Sequence, residues 1–160
     1  MRFSPELESK FEKLMGNYPE GRQRAALIPM LLFAQDETGA ITDEVVDEVV
    51  KRLDLTRLEV EEVISYYTML SRRRRGRHHI QICTNVSCML LGGAGLLEQA
   101  KQKLSIEEGE VTPDGEFSVE EVECLGACSW APALQVNYDY HHHMTPEKLN
   151  ELIEKLRKVQ

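Results

Sequence analysis

Hydrophobic side chains in the first 70 residues recur at the spacing of helix faces. Apolar residues stand at i, i+3, i+4 and i+7, and no run alternates between apolar and polar positions. Capping residues divide this region into four predicted helices, the first of which opens at Ser4 and ends at Gly16. The third begins at Thr42, and the fourth begins at Thr56 with Glu59 as the second half of a capping box. Four short helices joined by tight turns predict a small four-helix bundle.

The second of these helices is predicted from about Pro19 to Thr38, with Gly39 as its stop signal. Its interior carries Pro29, which lacks a backbone N–H and so removes one hydrogen bond of the helix. The pattern therefore predicts a long helix that is kinked at Pro29.

From His79 onwards the hydrophobic period changes to two. Residues 79–83 alternate as a half-buried strand does, and a helix is predicted from about Leu90 to Leu104. Strands are predicted over 117–124 and 133–136, and Thr145 caps a final amphipathic helix. The order β-α-β-β-α predicts a small sheet covered by helices, which is the α+β layout of a thioredoxin-like domain.

The chain is thus predicted to be an α+β protein of two domains, a helical bundle over residues 1–72 and a thioredoxin-like domain over 73–160. The boundary falls in an arginine-rich segment that runs from Arg72 to Arg77. Such a run is typical of a nucleic-acid patch or a localisation signal. Given the acidic sequence around it, a solvated connector or a docking patch for an acidic partner is the favoured interpretation.

Charge narrows the possible partners. The 160 residues carry 19 Lys and Arg against 27 Asp and Glu, for a formal net charge of −8. The first 80 residues hold 13 basic and 14 acidic side chains, whereas the second 80 hold 6 and 13. An acidic surface repels phosphate backbones, so the composition argues against nucleic acid as the main partner.

Hydropathy argues against membrane insertion. The longest nearly unbroken apolar stretch, Ala25 to Ala34, is about half of the ~20 residues that a membrane helix needs. The N-terminus lacks the apolar core and the small-residue cleavage site of a secretory signal. We therefore expect a cytoplasmic protein.

The four cysteines are the candidate functional residues of the chain. The cytoplasm keeps thiols reduced, which disfavours structural disulfides and favours metal ligation. Cys83 closes the first predicted strand, and Cys88 follows a loop over residues 84–87. Cys124 ends the next strand, and Cys128 follows a short loop that contains the flexible Gly126. If the two strand ends lie side by side in one sheet, four thiolates meet at one site.

The spacing favours a binuclear iron-sulfur cluster, which takes two thiolates on each iron. Two alternatives remain open. Zinc needs four ligands around one ion, and its paired ligands are most often about two residues apart, although spacings of up to about four occur. Free cysteines also serve as ordinary buried core residues.

Several motifs closely resemble one family, the thioredoxin-like 2Fe-2S ferredoxin subunit of respiratory NADH:quinone oxidoreductase (complex I), the E subunit in bacteria. The likeness covers nearly the whole chain. The matching segments are Cys-Thr-Asn-Val-Ser-Cys at 83–88, Glu-Cys-Leu-Gly-Ala-Cys at 123–128, Ala-Pro-Ala at 131–133, Leu-Ile-Pro-Met-Leu at 27–31, Tyr-Thr-Met at 67–69 and Met-Thr-Pro-Glu-Lys at 144–148.

The resemblance implies an electron-transfer subunit with no complete active site of its own. Its implied ligands to one 2Fe-2S cluster are Cys83, Cys88, Cys124 and Cys128. FMN and NADH then belong to a partner flavoprotein, the F subunit, whose flavin exchanges single electrons with the cluster. The implied setting also includes the other peripheral-arm subunits, on the cytoplasmic side of the inner membrane. All-thiolate ligation predicts a low potential. An equivalent subunit of an NAD-linked hydrogenase or formate dehydrogenase is the alternative within this class.

Two segments depart from the family pattern, the arginine run and Tyr138 to His143. Three adjacent histidines, 141–143, cannot all point one way in a hairpin, so we expect a solvated turn rather than a metal site. Pro132 is either a cis proline that shapes the site or a trans proline at a strand start. Trp130 either shields the cluster or belongs to a partner interface.

Overall fold

A computed structural model describes residues 3–158, which divide into two compact units after Arg74. The first unit contains helical elements and turns. These are α1 (Pro5–Gly16), a 3-10 helix (Gln23–Ala26), α2 (Leu27–Thr38), α3 (Asp43–Leu53) and α4 (Arg57–Tyr66). Their buried faces share one hydrophobic cluster, whose largest members include Phe11, Met30, Leu31, Ile41, Val45 and Val46.

Capping residues begin three of these helices as predicted. The Ser4 hydroxyl accepts the Leu7 N–H at 3.2 Å at the start of α1. At α3, Thr42 accepts the N–H of Val45 at 3.4 Å. The capping box of α4 is complete, because Thr56 and Glu59 each accept the other's backbone N–H. Local side-chain chemistry therefore sets these helix starts.

The predicted second helix was wrong at its start. Residues 23–26 form a 3-10 helix, and α2 begins only at Leu27. Pro29 consequently lies in the first turn of α2, where backbone N–H groups have no partner within the helix. A proline there breaks no hydrogen bond within the helix, so the physical reason for the predicted kink is removed.

The arginine run is tied to carboxylates within each unit. Arg72 pairs with Asp43 at 3.2 Å and with Glu61, both in the first unit. In the second unit, Arg75 lies 3.7 Å from Glu120, and Arg77 lies 3.7 Å from Glu116. These three side chains thus serve intramolecular ion pairs.

The second unit is a four-stranded sheet with helices. Its elements are β1 (His78–Cys83), α5 (Val86–Leu90), α6 (Gly93–Leu104), β2 (Phe117–Val122), a 3-10 helix (Cys128–Trp130), β3 (Leu134–Val136), β4 (Asp139–His141) and α7 (Pro146–Lys158). The strand order is β2-β1-β3-β4. β1 pairs with β2 in parallel, and the other two pairings are antiparallel.

This topology corrects the predicted β-α-β-β-α order in three places. The helix predicted from Leu90 is two helices, α5 and α6, separated at Gly92, whose φ is +95°. The strand predicted to end at Cys124 ends at Val122. A fourth strand, β4, was not predicted; it pairs with β3 and includes His141, the first residue of the predicted turn over 141–143.

The two faces of the β1–β2 pair differ in polarity. One face carries Ile80, Ile82, Phe117 and Val119, which pack with residues of α6 and α7 in one hydrophobic cluster. Alternate positions place polar side chains on the opposite face. There, His79 Nδ1 lies 2.8 Å from the Ser118 hydroxyl, and its Nε2 lies 2.9 Å from a Glu120 carboxylate oxygen. Burial therefore fixes the register of the sheet through its apolar face.

No helix among residues 3–158 is long and apolar enough to span a bilayer.

Glu120 makes the stability of the second unit sensitive to acid. Burial alone would raise the pKa of this carboxyl, but hydrogen bonds from His79 and Gln81 outweigh burial, so the pKa is lowered in the folded chain. The stabilisation is therefore present above the pKa of an unfolded glutamate, about 4.3, and is lost as the pH falls through the lower folded value. We expect Glu120→Gln to lower the free energy of unfolding by about 1 kcal/mol at pH 7.

Urea unfolding followed by the fluorescence of Trp130, the single tryptophan, measures this effect. The difference between Glu120→Gln and wild type should shrink between pH 5 and pH 3, conditions chosen to bracket that titration. Glu151→Gln, on the exposed side of α7, is the control and should leave stability unchanged. An equal loss at both pH values would contradict the role given to the carboxylate.

Candidate metal centre

The β1–β2 pairing brings the two cysteine loops together. Cys83 is the last residue of β1 and lies opposite Val122, the last residue of β2. Cys124 follows two residues later, so both loops leave the sheet at the same edge. The adjacent strand ends that the sequence predicted are present.

Cys88 lies on a helix rather than after a loop. The segment over residues 84–87 was predicted as a loop, but Val86 and Ser87 already belong to α5. Asn85 caps this helix, because its side-chain oxygen accepts the Val86 N–H at 2.6 Å. The short helix turns the chain so that Cys88 becomes buried beside Cys83.

Polar contacts tie the first loop to the second. The Thr84 hydroxyl donates to the Glu121 carboxylate. The Asn85 amide lies 3.5 Å from Glu123, and the Cys83 thiol lies 3.7 Å from the Glu123 carbonyl oxygen. These contacts hold the two loops at a fixed spacing.

The four cysteine sulfurs form two pairs. Cys124 Sγ lies 3.9 Å from Cys128 Sγ. The thiols of Cys83 and Cys88 interact with each other, and both also interact electrostatically with Cys128. Within residues 3–158, no three His, Cys, Asp or Glu side chains are arranged to hold a single metal ion.

The two pairs differ in burial. Cys83 and Cys88 are only 3% and 2% exposed, whereas Cys124 and Cys128 are exposed. The buried pair belongs to a small apolar cluster with Ala127, Ala131 and Ala133, packed by Val122 and Leu125. This burial raises the pKa of the Cys88 thiol, although a hydrogen bond from the Ala133 backbone opposes it. The pKa of Cys128 is raised chiefly by its hydrogen bond with Cys124.

Hydrogen-bond donors are directed at three of the sulfurs. The Gly126 N–H approaches Cys124 Sγ at 3.3 Å, and the Ala133 backbone approaches Cys88. The Ser87 side chain interacts with Cys128. Gly126 adopts a φ of +74°, which glycine takes without strain, as its place in the loop predicted. Such donors stabilise thiolates and tune the metal group that they hold.

Sequence reasoning missed the contribution of Gly93. A β-carbon at this position would lie 2.6 Å from the Cys83 carbonyl oxygen and 2.9 Å from the Cys88 carbonyl oxygen. The start of α6 therefore packs directly on the backbone of the first cysteine loop. The only signal in the sequence was a Gly92–Gly93 pair, which by itself indicates no more than a turn.

Aromatic side chains flank the second loop. Trp130 stacks on His142 with ring centroids 5.3 Å apart, and the Tyr140 hydroxyl donates to the Leu125 carbonyl oxygen at 3.0 Å. His141 lies on β4 and is half-buried. The solvated turn predicted for the three histidines is therefore wrong at His141, which pairs with β3 as the last residue of β4, whereas His142 and His143 are exposed. The Ala131–Pro132 peptide bond, left open by the sequence, is cis.

A mixed helical and sheet chain with four thiols at one edge of its sheet is typical of the class of small cysteine-rich domains that bind a metal group. Within that class the chain belongs to the thioredoxin-like [2Fe-2S] ferredoxin family, whose sequence profile matches residues 11–157. The fold is accordingly thioredoxin-like.

Similar proteins carry a consistent name. The chain is 40% identical over 151 residues to an E subunit, the one numbered 2, of the NADH-quinone oxidoreductase of Rhizobium meliloti (strain 1021), covering 94% of this chain and 89% of the relative. It is 39% identical over 147 residues to the E subunit of the NADH-quinone oxidoreductase of Rickettsia bellii (strain RML369-C), covering 91% and 88%.

A solved structure shares the fold. A chain of an NAD+-reducing [NiFe]-hydrogenase in its H2-reduced state superposes with a TM-score of 0.72 at 21% identity. The match covers 84% of this chain and 22% of the hydrogenase chain. At this identity the likeness concerns the fold alone.

Substituting Gly93 should disturb the first cysteine loop. Gly93→Ala places a methyl group against two backbone carbonyl oxygens, and overpacking of this kind costs about 1–3 kcal/mol. We expect a lower free energy of unfolding, measured by Trp130 fluorescence, together with less bound iron per chain.

Gly95→Ala is the matched control two residues along α6. A β-carbon there meets nothing within 4 Å, and alanine is favoured over glycine in a helix by about 1 kcal/mol. The two variants should therefore change stability in opposite directions. Equal effects would show that Gly93 does not support the loop.

Proposed function

We propose that Cys83, Cys88, Cys124 and Cys128 hold one 2Fe-2S cluster, through which this chain exchanges single electrons with the flavin of a partner subunit. The observation that carries the proposal is the meeting of two cysteine pairs at adjacent strand ends, which the β1–β2 register fixes. When bound, such a cluster takes up and releases one electron at a time.

The donor set fits the group. Two sulfur pairs correspond to two thiolate ligands on each iron. Cys83 and Cys88, both buried, would hold the side of the cluster that faces the protein, and the exposed pair would hold the side that faces solvent or a partner. Directed N–H groups at Gly126 and Ala133 would offset part of the negative charge on the thiolates.

The names of similar proteins favour one enzyme over its alternatives. The E subunit of NADH-quinone oxidoreductase is by name one part of a multisubunit oxidoreductase, and this name recurs among relatives that match most of the chain. We propose the same role here, as an electron-transfer subunit with no complete active site of its own. FMN and NADH then sit on the partner subunit, so hydride removal from NADH occurs there. An equivalent subunit of an NAD-linked hydrogenase or formate dehydrogenase would use the same site.

The two predicted domains would have different roles. Residues 73–160 would form the cluster domain, and residues 1–72 a four-helix bundle that docks on the flavin- and NADH-binding F subunit and on other peripheral-arm subunits. We expect the assembly to work on the cytoplasmic side of the inner membrane, with this chain peripheral to the bilayer and not bound to nucleic acid.

Metal analysis separates the cluster from a zinc-stabilised binding module. Protein purified without oxygen should be red-brown and contain about two irons and two acid-labile sulfides per chain. Cys83→Ala and Cys124→Ala each remove one proposed ligand, one from each pair, and should lose most of that iron. Colourless protein with one zinc per chain would overturn the proposal. Full iron retention in either variant would overturn the ligand assignment.

Exposed apolar residues on α4 offer a test of docking. Leu58 and Tyr66, two large side chains of this helix, are 68% and 79% exposed and are therefore accessible to a partner. The double variant Leu58→Ser/Tyr66→Ser should weaken co-purification with the flavin-binding partner by about tenfold, the loss of two moderate contacts. Iron content should not change.

Lys13→Ser, an exposed change on α1, is the control and should leave co-purification intact. Unchanged co-purification of the double variant would rule out this face of α4 as the docking surface.

A further inference from the structure

The two cysteine pairs are unequally accessible to small oxidants. Cys83 and Cys88 are almost fully covered, whereas Cys124 and Cys128 are exposed. Thiol–disulfide exchange requires direct contact between the attacking sulfur and a sulfur of the oxidant. In a chain that holds no cluster, a small disulfide therefore reaches the second pair first.

The exposed pair is also close enough to be joined. Its sulfurs lie 3.9 Å apart, and a disulfide bond of about 2.05 Å requires them to approach by about 2 Å. Residues 124–127 lie between the end of β2 and the 3-10 helix at Cys128, so they belong to no strand or helix. The positive φ of Gly126 already turns this segment back on itself. No ladder hydrogen bond has to break for the two sulfurs to meet.

We propose that Cys124 and Cys128 form an intramolecular disulfide in the cluster-free chain when it meets a low-molecular-weight disulfide. One sulfur of the pair attacks the reagent and displaces one thiol, which leaves a mixed disulfide on the protein. The second sulfur then attacks the protein sulfur of that bond and displaces the other thiol. The pair loses two electrons, the reagent gains them, and the two thiol protons leave on the two released thiols.

This reaction would make the site redox-sensitive before it is loaded. A disulfide between Cys124 and Cys128 leaves only the buried pair as thiols, so two of the four proposed ligands are lost. This consequence rests on the proposed function, whereas the disulfide itself rests only on access and distance. A thiol reductant would restore all four thiols.

The sequence makes the test direct, because trypsin separates the two pairs. Cleavage after lysine and arginine places Cys83 and Cys88 on residues 78–101, and Cys124 and Cys128 on residues 104–148. The full chain, freed of metal by a chelator without oxygen, is treated with bis(2-hydroxyethyl) disulfide, an uncharged reagent. The remaining thiols are then alkylated, the chain is digested with trypsin, and the masses of the peptides are measured by mass spectrometry.

Peptide 104–148 should lose two hydrogens and escape alkylation, while peptide 78–101 should carry two alkyl groups. The double variant Cys83→Ala/Cys88→Ala should still form the disulfide. Cys128→Ala should instead keep one thiol half of the reagent on Cys124 as a mixed disulfide, because no second sulfur is available to displace it. Equal oxidation of both peptides, a cross-link between them, or a persistent adduct on wild-type 104–148 would overturn the proposal.

Cobalt ion serves as the probe for the loss of ligands, since thiolate-to-cobalt absorption reports thiolate ligation without any added reductant. In the reduced chain the exposed pair offers two thiolates to one Co²⁺ ion, and the oxidised chain should bind Co²⁺ at this pair at least about tenfold more weakly because both thiolates are lost. Dithiothreitol, removed before the titration, should restore the binding. Equal binding by both forms would overturn the claim that the disulfide disables the site.

The proposed function and the proposed disulfide can be disproved independently of each other. If the reduced chain takes up no iron in the metal analysis, the proposed function fails whatever the peptides show. If iron is taken up but the disulfide does not form, only the present inference fails.

Discussion

The parallel pairing of β1 with β2 is the constraint on which the site depends. Its register places Cys83 opposite Val122, so that the chain segments after both strands start from the same edge of the sheet. The apolar faces of these strands, packed with α6 and α7, hold that register. A slip of one residue would turn Ile80 and Ile82 out of the core and would separate the cysteine loops. The chemistry at the edge is therefore maintained by the hydrophobic core beneath it.

The loops themselves are held by close contacts rather than by a large core. Asn85 caps α5, and the side chains of Thr84 and Asn85 reach carboxylates on the opposite segment. Gly93 lets α6 start against the backbone of the first loop. The result is a site with one buried and one exposed pair of thiols. That asymmetry suits an electron carrier, which must shield its redox group on one side and present it to a partner on the other.

The sequence predicted those features that are encoded locally. Thr56 and Glu59 lie three residues apart and cap their own helix, so the start of α4 could be predicted without tertiary information. The cysteine pairs were likewise evident from spacing, and alternation predicted the strands before them, but that these strands are neighbours was only a possibility until the β1–β2 pairing was seen. That the four thiols hold a metal group is a prediction from their pattern.

Features that depend on tertiary contacts were missed. The three residues of β4 carry no alternating apolar pattern and are stabilised by pairing with β3. Helical periodicity continues upstream of Leu27, so the real start of α2 was hidden. The close approach at Gly93 joins elements whose packing no local pattern describes. α5 is only five residues long, too short for hydrophobic periodicity to reveal.

The most direct measurement of the central claim is the electron paramagnetic resonance spectrum of the intact chain after reduction by dithionite without oxygen. Four thiolates around one binuclear iron-sulfur group predict a single unpaired-spin signal at low temperature that integrates to about one spin per chain. A silent spectrum from folded protein, or a signal typical of an isolated iron ion, would contradict the account.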